Sequence, residues 1–319
     1  MNDVVTAQDV LDASDRIHGV LSWTPVREAS SGIGLLKLEN LQKTGAYKVR
    51  GALNALLAQR ERGDDRPVIA ASAGNHAAGV AWAARHTGLR ATTVVPHGAP
   101  LSKVERTREL GAEVVFHGRN FDEASLYASH LAEATNTRLL HPFDDPEIIA
   151  GQGSVALEIL DQKPDLVLVP IGGGGLAAGM ATLLHSVGIP VIGVQIVGVD
   201  AMYRKILRTP LAPGLADTIA DGIKVREPGA RTAEILRRRL DHVCLVTEDE
   251  VRDAMVSLAA EDRIIAEGAG AVAVAAMKKI RAGRPLAVVS GGNIDMDDFR
   301  PLLDSRRSLR PHRGLRVAS

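Results

Sequence analysis

Four short segments of the chain hold residue types that do chemistry. The first is Thr44-Gly-Ala-Tyr-Lys48-Val-Arg-Gly51. A lysine taken out of water beside an aromatic ring loses proton affinity, because burial disfavours the ammonium. Its neutral amine can then attack an aldehyde. The same lysine also fits an ordinary exposed helix start. The second segment is Ser72-Ala-Gly-Asn-His76. Hydroxyls and backbone amides at a helix N-terminus form a ready anion site, sized for an α-carboxylate. The alternative there is a plain helix cap by Ser72 or Asn75, with His76 a structural histidine. The third is Pro170-Ile-Gly-Gly-Gly-Gly-Leu176. Consecutive glycines in a strand-to-helix turn let several N–H groups point at one phosphate, at a high entropic cost for a merely structural turn. The fourth is Ser290-Gly-Gly-Asn-Ile-Asp295, where Ser290 could exchange one hydrogen bond with a group in a crevice, or simply sit in a glycine turn.

The third segment lacks the lysine and hydroxyl of a nucleoside-triphosphate loop. Gly173-Gly-Gly175-Leu-Ala-Ala178 satisfies a loose dinucleotide pattern, so an NAD-dependent oxidoreductase is a remote alternative. The acid expected about 20 residues further on is missing, because Asp200 lies too far along.

These segments punctuate an alternation of strands and helices. Strands are expected at Leu35–Glu39, Pro67–Ala71, Ala91–Val95, Glu113–Phe116, Leu166–Val169, Pro190–Val197 and Leu286–Val289, with one more ending over Leu245–Thr247. Helical periodicity covers Lys48–Arg60, Asn75–Thr87, Leu101–Leu110 (closed by Gly111), Phe121–Ala134, Pro146–Leu160, Leu176–Ser186, Glu248–Ala260 and Ala269–Arg281. Such alternation implies right-handed βαβ units and mainly parallel sheets, an α/β fold. Three strands between Pro67 and Asp144 suffice for a small domain. The expected division is therefore a large domain from 1–66 and 145–319 and a small one from 67–144. Residues 201–231, rich in Pro, Gly and charge, read as a long functional loop region.

Composition bounds the function. The chain has 319 residues, 45% hydrophobic and 24% charged, and its formal net charge is zero. That argues against nucleic-acid and anionic-membrane partners. Neither a secretion signal nor an apolar run of about 20 residues is visible, which makes the cytoplasm the default location. The single cysteine, Cys244, excludes a disulfide within the chain and reads as a buried core thiol. The basic residues Arg306, Arg307, Arg310, Arg313 and Arg316 read as a solvated tail.

Taken in order, Leu38-Glu-Asn-Leu-Gln-Lys-Thr-Gly45 with Tyr47-Lys48, Ser72–His76, Gly151-Gln-Gly153, Gly172–Gly175, Ala220-Asp-Gly222 and Ser290–Asn293 resemble the fold-type II enzymes that depend on pyridoxal 5'-phosphate (PLP). The likeness is to their serine/threonine dehydratase (threonine ammonia-lyase) group and runs from about Leu38 to Asp295. It implies two open, twisted, mainly parallel-sheet domains of the tryptophan synthase β type. It further implies that Lys48 carries PLP as a Schiff base, with Tyr47 against the ring region. Asn75 would bond the 3'-oxygen, Gly172, Gly173, Gly174 and Gly175 would cradle the phosphate, and Ser290 would meet the pyridine nitrogen. Ser72 and His76 would hold the substrate carboxylate, and Gly222 and Glu267 would lie near the cofactor. The implied reaction removes water from a small β-hydroxy amino acid of the L-threonine or L-serine type, giving a 2-oxo acid and ammonia. Lys48 would take the Cα proton. The resemblance also suggests a homodimer or homotetramer.

Departures from the family pattern refine this. Ala46-Tyr47 stands where Ser-Phe is common, so the substrate could instead be hydroxyaspartate, phenylserine or an ectoine-catabolism intermediate. Ala73 stands where racemases of the group carry a second serine, which disfavours racemisation. Gln195 and Ala201 replace ligands of a divalent cation seen in several members, so no metal site is expected. Only 24 residues follow Asp295, and the isoleucine-sensing regulatory domain of biosynthetic relatives is not expected.

Overall fold

A computed structural model describes residues 5–210, 216–280 and 282–307. The chain opens with helix α1 (Ala7–Ile17), started by a capping box in which Thr6 and Asp9 satisfy each other's backbone amides. Strands β1 (Val26–Glu28) and β2 (Leu35–Leu38) pair antiparallel and lead to helix α2 (Lys48–Glu61). Then follow β3 (Val68–Ala71), α3 (Asn75–Thr87), β4 (Ala91–Val95), α4 (Leu101–Glu109), β5 (Glu113–Phe116), α5 (Phe121–Ala134) and β6 (Arg138–Leu139). These four strands form one wholly parallel sheet in the order β5-β4-β3-β6.

The chain continues through α6 (Pro146–Leu157), β7 (Leu166–Pro170), α7 (Gly175–Ser186), β8 (Val191–Ile196), α8 (Ala201–Leu207), α9 (Ala230–Arg239) and β9 (His242–Val246). It closes with α10 (Glu248–Ser257), α11 (Gly268–Met277), β10 (Pro285–Val289) and α12 (Met296–Arg307). The second sheet has six strands ordered β1-β2-β10-β7-β8-β9, parallel apart from β1. Central strands β3 and β10 are buried at every position, which is why they read as unbroken apolar runs. Helix α11 is made almost entirely of Gly, Ala and Val and is buried nearly all round. Small side chains let it lie close against the sheet.

Helix α2 belongs to neither layer alone. Val49, Ala52, Leu53 and Leu56 pack with Val68, Ala70 and Val80 of the smaller sheet's core, while the helix also lies against α6. A buried charge cluster fixes its first turns. Arg50 grips Glu39 with Nε–Oε2 at 2.7 Å and Nη2–Oε1 at 2.8 Å, and reaches Glu158 at 2.5 Å. Lys37 also meets Glu158 at 2.5 Å. Two cations and two carboxylates thus neutralise one another out of water, the arrangement in which buried charges are tolerated.

Several expectations need correcting. Glu39 is not strand but opens a 3-10 turn, Glu39–Leu41. The segment between Pro67 and Asp144 has four strands rather than three, because β6 is two residues long and too short for a periodicity. Residues 201–231 are not one long loop. They contain α8, a 3-10 turn Asp221–Ile223 and the start of α9, while 211–215 lie outside the described residues. Helical periodicity to Ala260 ends early: α10 stops at Ser257 and passes into a π-helical turn, Leu258–Asp262. Arg306 and Arg307 end helix α12 instead of beginning a tail, and Arg310, Arg313 and Arg316 lie outside the described residues. Cys244 is half-buried rather than fully buried, since β9 is the edge strand of its sheet.

Candidate active site

All four sequence segments leave the carboxyl ends of parallel strands, where open α/β sheets bind ligands. The turn after β10 runs directly beside the Lys48 loop. Tyr47 N donates to Ser290 O at 3.1 Å, Gly292 N donates to Gly45 O at 2.9 Å, and Ala46 bridges Gly291. Lys48 therefore starts α2 within reach of Ser290's strand. Gln152 of α6 locks this start from behind, accepting from Gly51 N at 3.2 Å and donating to Lys48 O at 3.4 Å.

The Lys48 side chain is half-buried, with its amine turned inward. Nζ donates to Pro142 O at 2.9 Å and lies 5.4 Å from the Tyr47 ring centroid. Burial lowers its pKa to about 8, although the nearby Glu267 carboxylate pulls the other way. Burial, and then the Glu267 charge, raise the Tyr47 phenol, which stays protonated. Glu267 is itself buried. Burial and the neighbouring Asp221 raise its carboxyl pKa to about 7, against the opposing effects of Asn75, Lys103 and Arg106.

Asn75 heads helix α3 and points into the same space, with Nδ2 2.6 Å from Glu267 Oε1. His76 follows it, with its Nε2 3.2 Å from Leu140 O. Burial, and then Lys48, drop its pKa to about 3, so the ring is neutral. Ser72 accepts from Gly74 N at 3.1 Å and shapes the turn before α3.

The glycine turn joins β7 to α7. Gly174 caps the helix with φ +97°, a left-handed conformation that suits glycine. A Cβ on Gly173 would lie 2.2 Å from the Phe143 ring. The first amides of α7 have no intrahelical acceptor and converge on the turn. Phe143 also follows Pro142, so the residues after β6 connect the glycine turn to the Lys48 amine. Ser290 is buried at the end of β10, with Oγ 3.3 Å from Ala269 O. Gly222 lies in the 3-10 turn beside Ala269.

Contacts therefore link Tyr47 to Ser290, Lys48 through Pro142 and Phe143 to the Gly172–Gly175 turn, and Asn75 to Glu267. Pro142, Phe143, Arg106 and Asn293 join these contacts but carried no role in the sequence reading. Their one signal was position: Leu140-His-Pro-Phe-Asp-Asp145 directly follows a strand, and Asn293 closes the Ser290 turn. Gln195 is occupied structurally, donating to Ile171 O and Val199 O at 3.1 and 3.2 Å and accepting from Tyr203 N at 2.8 Å. Among the described residues, no group of three or more His, Cys, Asp or Glu side chains could hold a metal ion. Nor is any described helix long and apolar enough to cross a membrane.

A lysine amine of lowered pKa, a cradle that side chains would fill and a carboxamide donor held on Glu267 fit PLP. The comparisons agree. Residues 19–291 match the model of the pyridoxal-phosphate dependent enzyme family, and the chain belongs to that family. Its cofactor is PLP, and the dinucleotide reading of the glycine turn falls with that finding. The chain is 41% identical to the L-threonine ammonia-lyase of Thermotoga maritima, over 92% of this chain and 77% of that one. The solved threonine deaminase isoform 2 of Solanum lycopersicum superposes with a TM-score of 0.85 at 33% identity, over 93% of this chain and 88% of that one. A PLP-dependent aspartate racemase gives a TM-score of 0.86 at 32% identity, covering 92% and 98%.

Proposed function

We propose that the chain is a PLP-dependent ammonia-lyase that dehydrates L-threonine or L-serine to a 2-oxo acid and ammonia. The observation that carries this reading is the Lys48 amine, of depressed pKa, held on Pro142 O next to the Phe143 that packs on the glycine turn. The relatives named for threonine support the substrate.

In this reading Lys48 would hold the cofactor through its aldehyde, and the lysine amine would serve as the base at Cα. An amine whose pKa lies near neutrality both loses and regains a proton readily. PLP supplies a sink for the electrons left at Cα. Gly172–Gly175 and the first amides of α7 hold the phosphate. Asn75 donates to the 3'-oxygen, and Ser290 offers a neutral hydroxyl to the ring nitrogen. Ser72, with the amides of the Ser72–His76 turn, holds the substrate carboxylate. Ala73 offers no acid on the opposite face, which favours elimination over return of the proton. Tyr47, Gly222 and Glu267 complete the walls.

The same proposal includes a smaller unit over residues 67–144, supported by a sheet whose strands all fall within 68–139. It also includes assembly as a homodimer or homotetramer and a place in the cytoplasm. Purified protein given L-threonine should release 2-oxobutanoate and ammonia, and L-serine should give pyruvate. A panel including hydroxyaspartate and phenylserine ranks the alternatives. Yellow protein that releases no 2-oxo acid from any of them would overturn the substrate assignment but not the cofactor.

A further inference from the structure

Asn75 is a carboxamide, and only one of its two orientations turns the NH2 group toward the cofactor. A chain of hydrogen bonds decides which. Arg106 of α4 donates from Nη1 to Asn293 Oδ1 at 2.5 Å and from Nη2 to Thr44 O at 2.9 Å. Asn293 Nδ2 then donates to Thr44 O at 2.8 Å and to Asn75 Oδ1 at 2.7 Å. Asn75 Nδ2 is left facing Glu267 Oε1 at 2.6 Å.

The direction of this chain is forced by chemistry. A guanidinium only donates and a backbone carbonyl only accepts, so Arg106 and Thr44 hold Asn293 in one orientation from both sides. Asn293 in turn presents NH2 to Asn75, which must answer with its oxygen. Each Nδ2 carries two hydrogens. One goes to Glu267, and the other is free to meet a cofactor oxygen. Helix α4 is held in place by two more contacts near its start: Ser102 Oγ donates to Asp295 Oδ2 at 3.0 Å, and Lys103 pairs with Asp221. Gly45 keeps the space open, since a Cβ there would lie 2.3 Å from Asn293 Oδ1.

We propose that Arg106, acting through Asn293, is a positioning residue that sets the Asn75 carboxamide to donate to the 3'-oxygen of PLP. The proposal rests on the reading of Asn75 given above. It also makes the donor depend on the layer that carries α4: if α4 withdraws, Asn293 is freed to rotate and the donor is no longer guaranteed.

The test measures PLP dissociation constants and the pH at which bound PLP loses half its visible band, in wild type, Asn75→Ala, Arg106→Met, Arg106→Lys and Asn293→Asp. Asn293→Asp is nearly isosteric and keeps the Arg106 contact, but it can only accept, so Asn75 must turn its NH2 toward position 293. It therefore reads the relay even if Arg106→Met folds poorly. Asn75→Ala should weaken PLP about tenfold, the loss of one good donor. Arg106→Met and Asn293→Asp should weaken it about three- to tenfold, move the band's titration in the same direction as Asn75→Ala, and have no further effect in the Asn75→Ala background. Arg106→Lys, still a donor, should stay within about threefold of wild type. If Asn75→Ala weakens PLP while the other two variants do not, or if their effects multiply fully with it, the relay is wrong and the role of Asn75 stands. If Asn75→Ala changes neither quantity, the placement of Asn75 at the cofactor fails, and the relay's purpose with it.

Discussion

The lowered proton affinity of Lys48 can be measured without cofactor or substrate. A lysine in water has a pKa near 10.4, so between pH 7 and 9 its neutral fraction, and hence its rate of reaction with a small electrophile, rises about a hundredfold. With a pKa of about 8 for Lys48, the neutral fraction is about one tenth at pH 7, one half at pH 8 and nine tenths at pH 9. Its labelling should therefore rise only about tenfold over that range and then level off. The perturbation that tests the cause is Glu267→Gln. That carboxylate favours the ammonium and opposes the effect of burial, so its removal should move the plateau of Lys48 to lower pH. The assay is reductive methylation of cofactor-free protein with formaldehyde, followed by peptide mass spectrometry, with each lysine normalised to its own high-pH rate. A hundredfold rise for Lys48 between pH 7 and 9 would refute the account of its environment. A plateau that moves to higher pH in Glu267→Gln would refute the assignment of the opposing charge.

Arg50→Met removes one cation from a buried group of four charges and leaves two carboxylates facing Lys37 alone. Unfolding in urea should show a loss of about 3–5 kcal/mol, and Arg50→Met with Glu39→Gln should lose distinctly less than the sum of the two single changes. Gly173→Ala drives a methyl into the Phe143 ring, and equilibrium titration should show PLP binding weakened by about five- to hundredfold, the effect of about 1–3 kcal/mol of overpacking at a phosphate cradle. Because both ends of the Gln195 amide are engaged by backbone groups, dialysis against a chelator should leave the rate of 2-oxo acid release unchanged. Ala73→Ser should raise interconversion of L- and D-serine, read by chiral chromatography, if the missing hydroxyl is what restricts the chemistry.

The order of motifs in the sequence was enough to place Lys48, the glycine turn and Ser290 in one family and to imply the α/β fold, because turns that follow buried strands need glycine and small polar residues at fixed points. Most helices that run between two expected strands were legible too, whereas α1 and α12, outside that alternation, were not read although they have 11 and 12 residues. Short or edge elements were not legible either. Strand β6 has two residues and β1 has three, too few to show a period, while α9 went unread although Thr232, Ala233, Ile235 and Leu236 form one buried face. The sequence also could not give His76 its direction, because the acceptor that turns its ring, Leu140 O, is 64 residues away.

What the sequence determined by itself was therefore the kind of cofactor and the lysine that holds it: these depend on residue types at strand ends, and such types are local. What only the tertiary structure decided was electrostatic. The pKa of Lys48 follows from its burial and from Glu267, more than 200 positions away along the chain. The orientation of Asn75 follows from Asn293 and Arg106, which come from separate segments of the chain. Proton affinity and hydrogen-bond direction depend on which charges and dipoles surround a group in space, and folding alone brings those together.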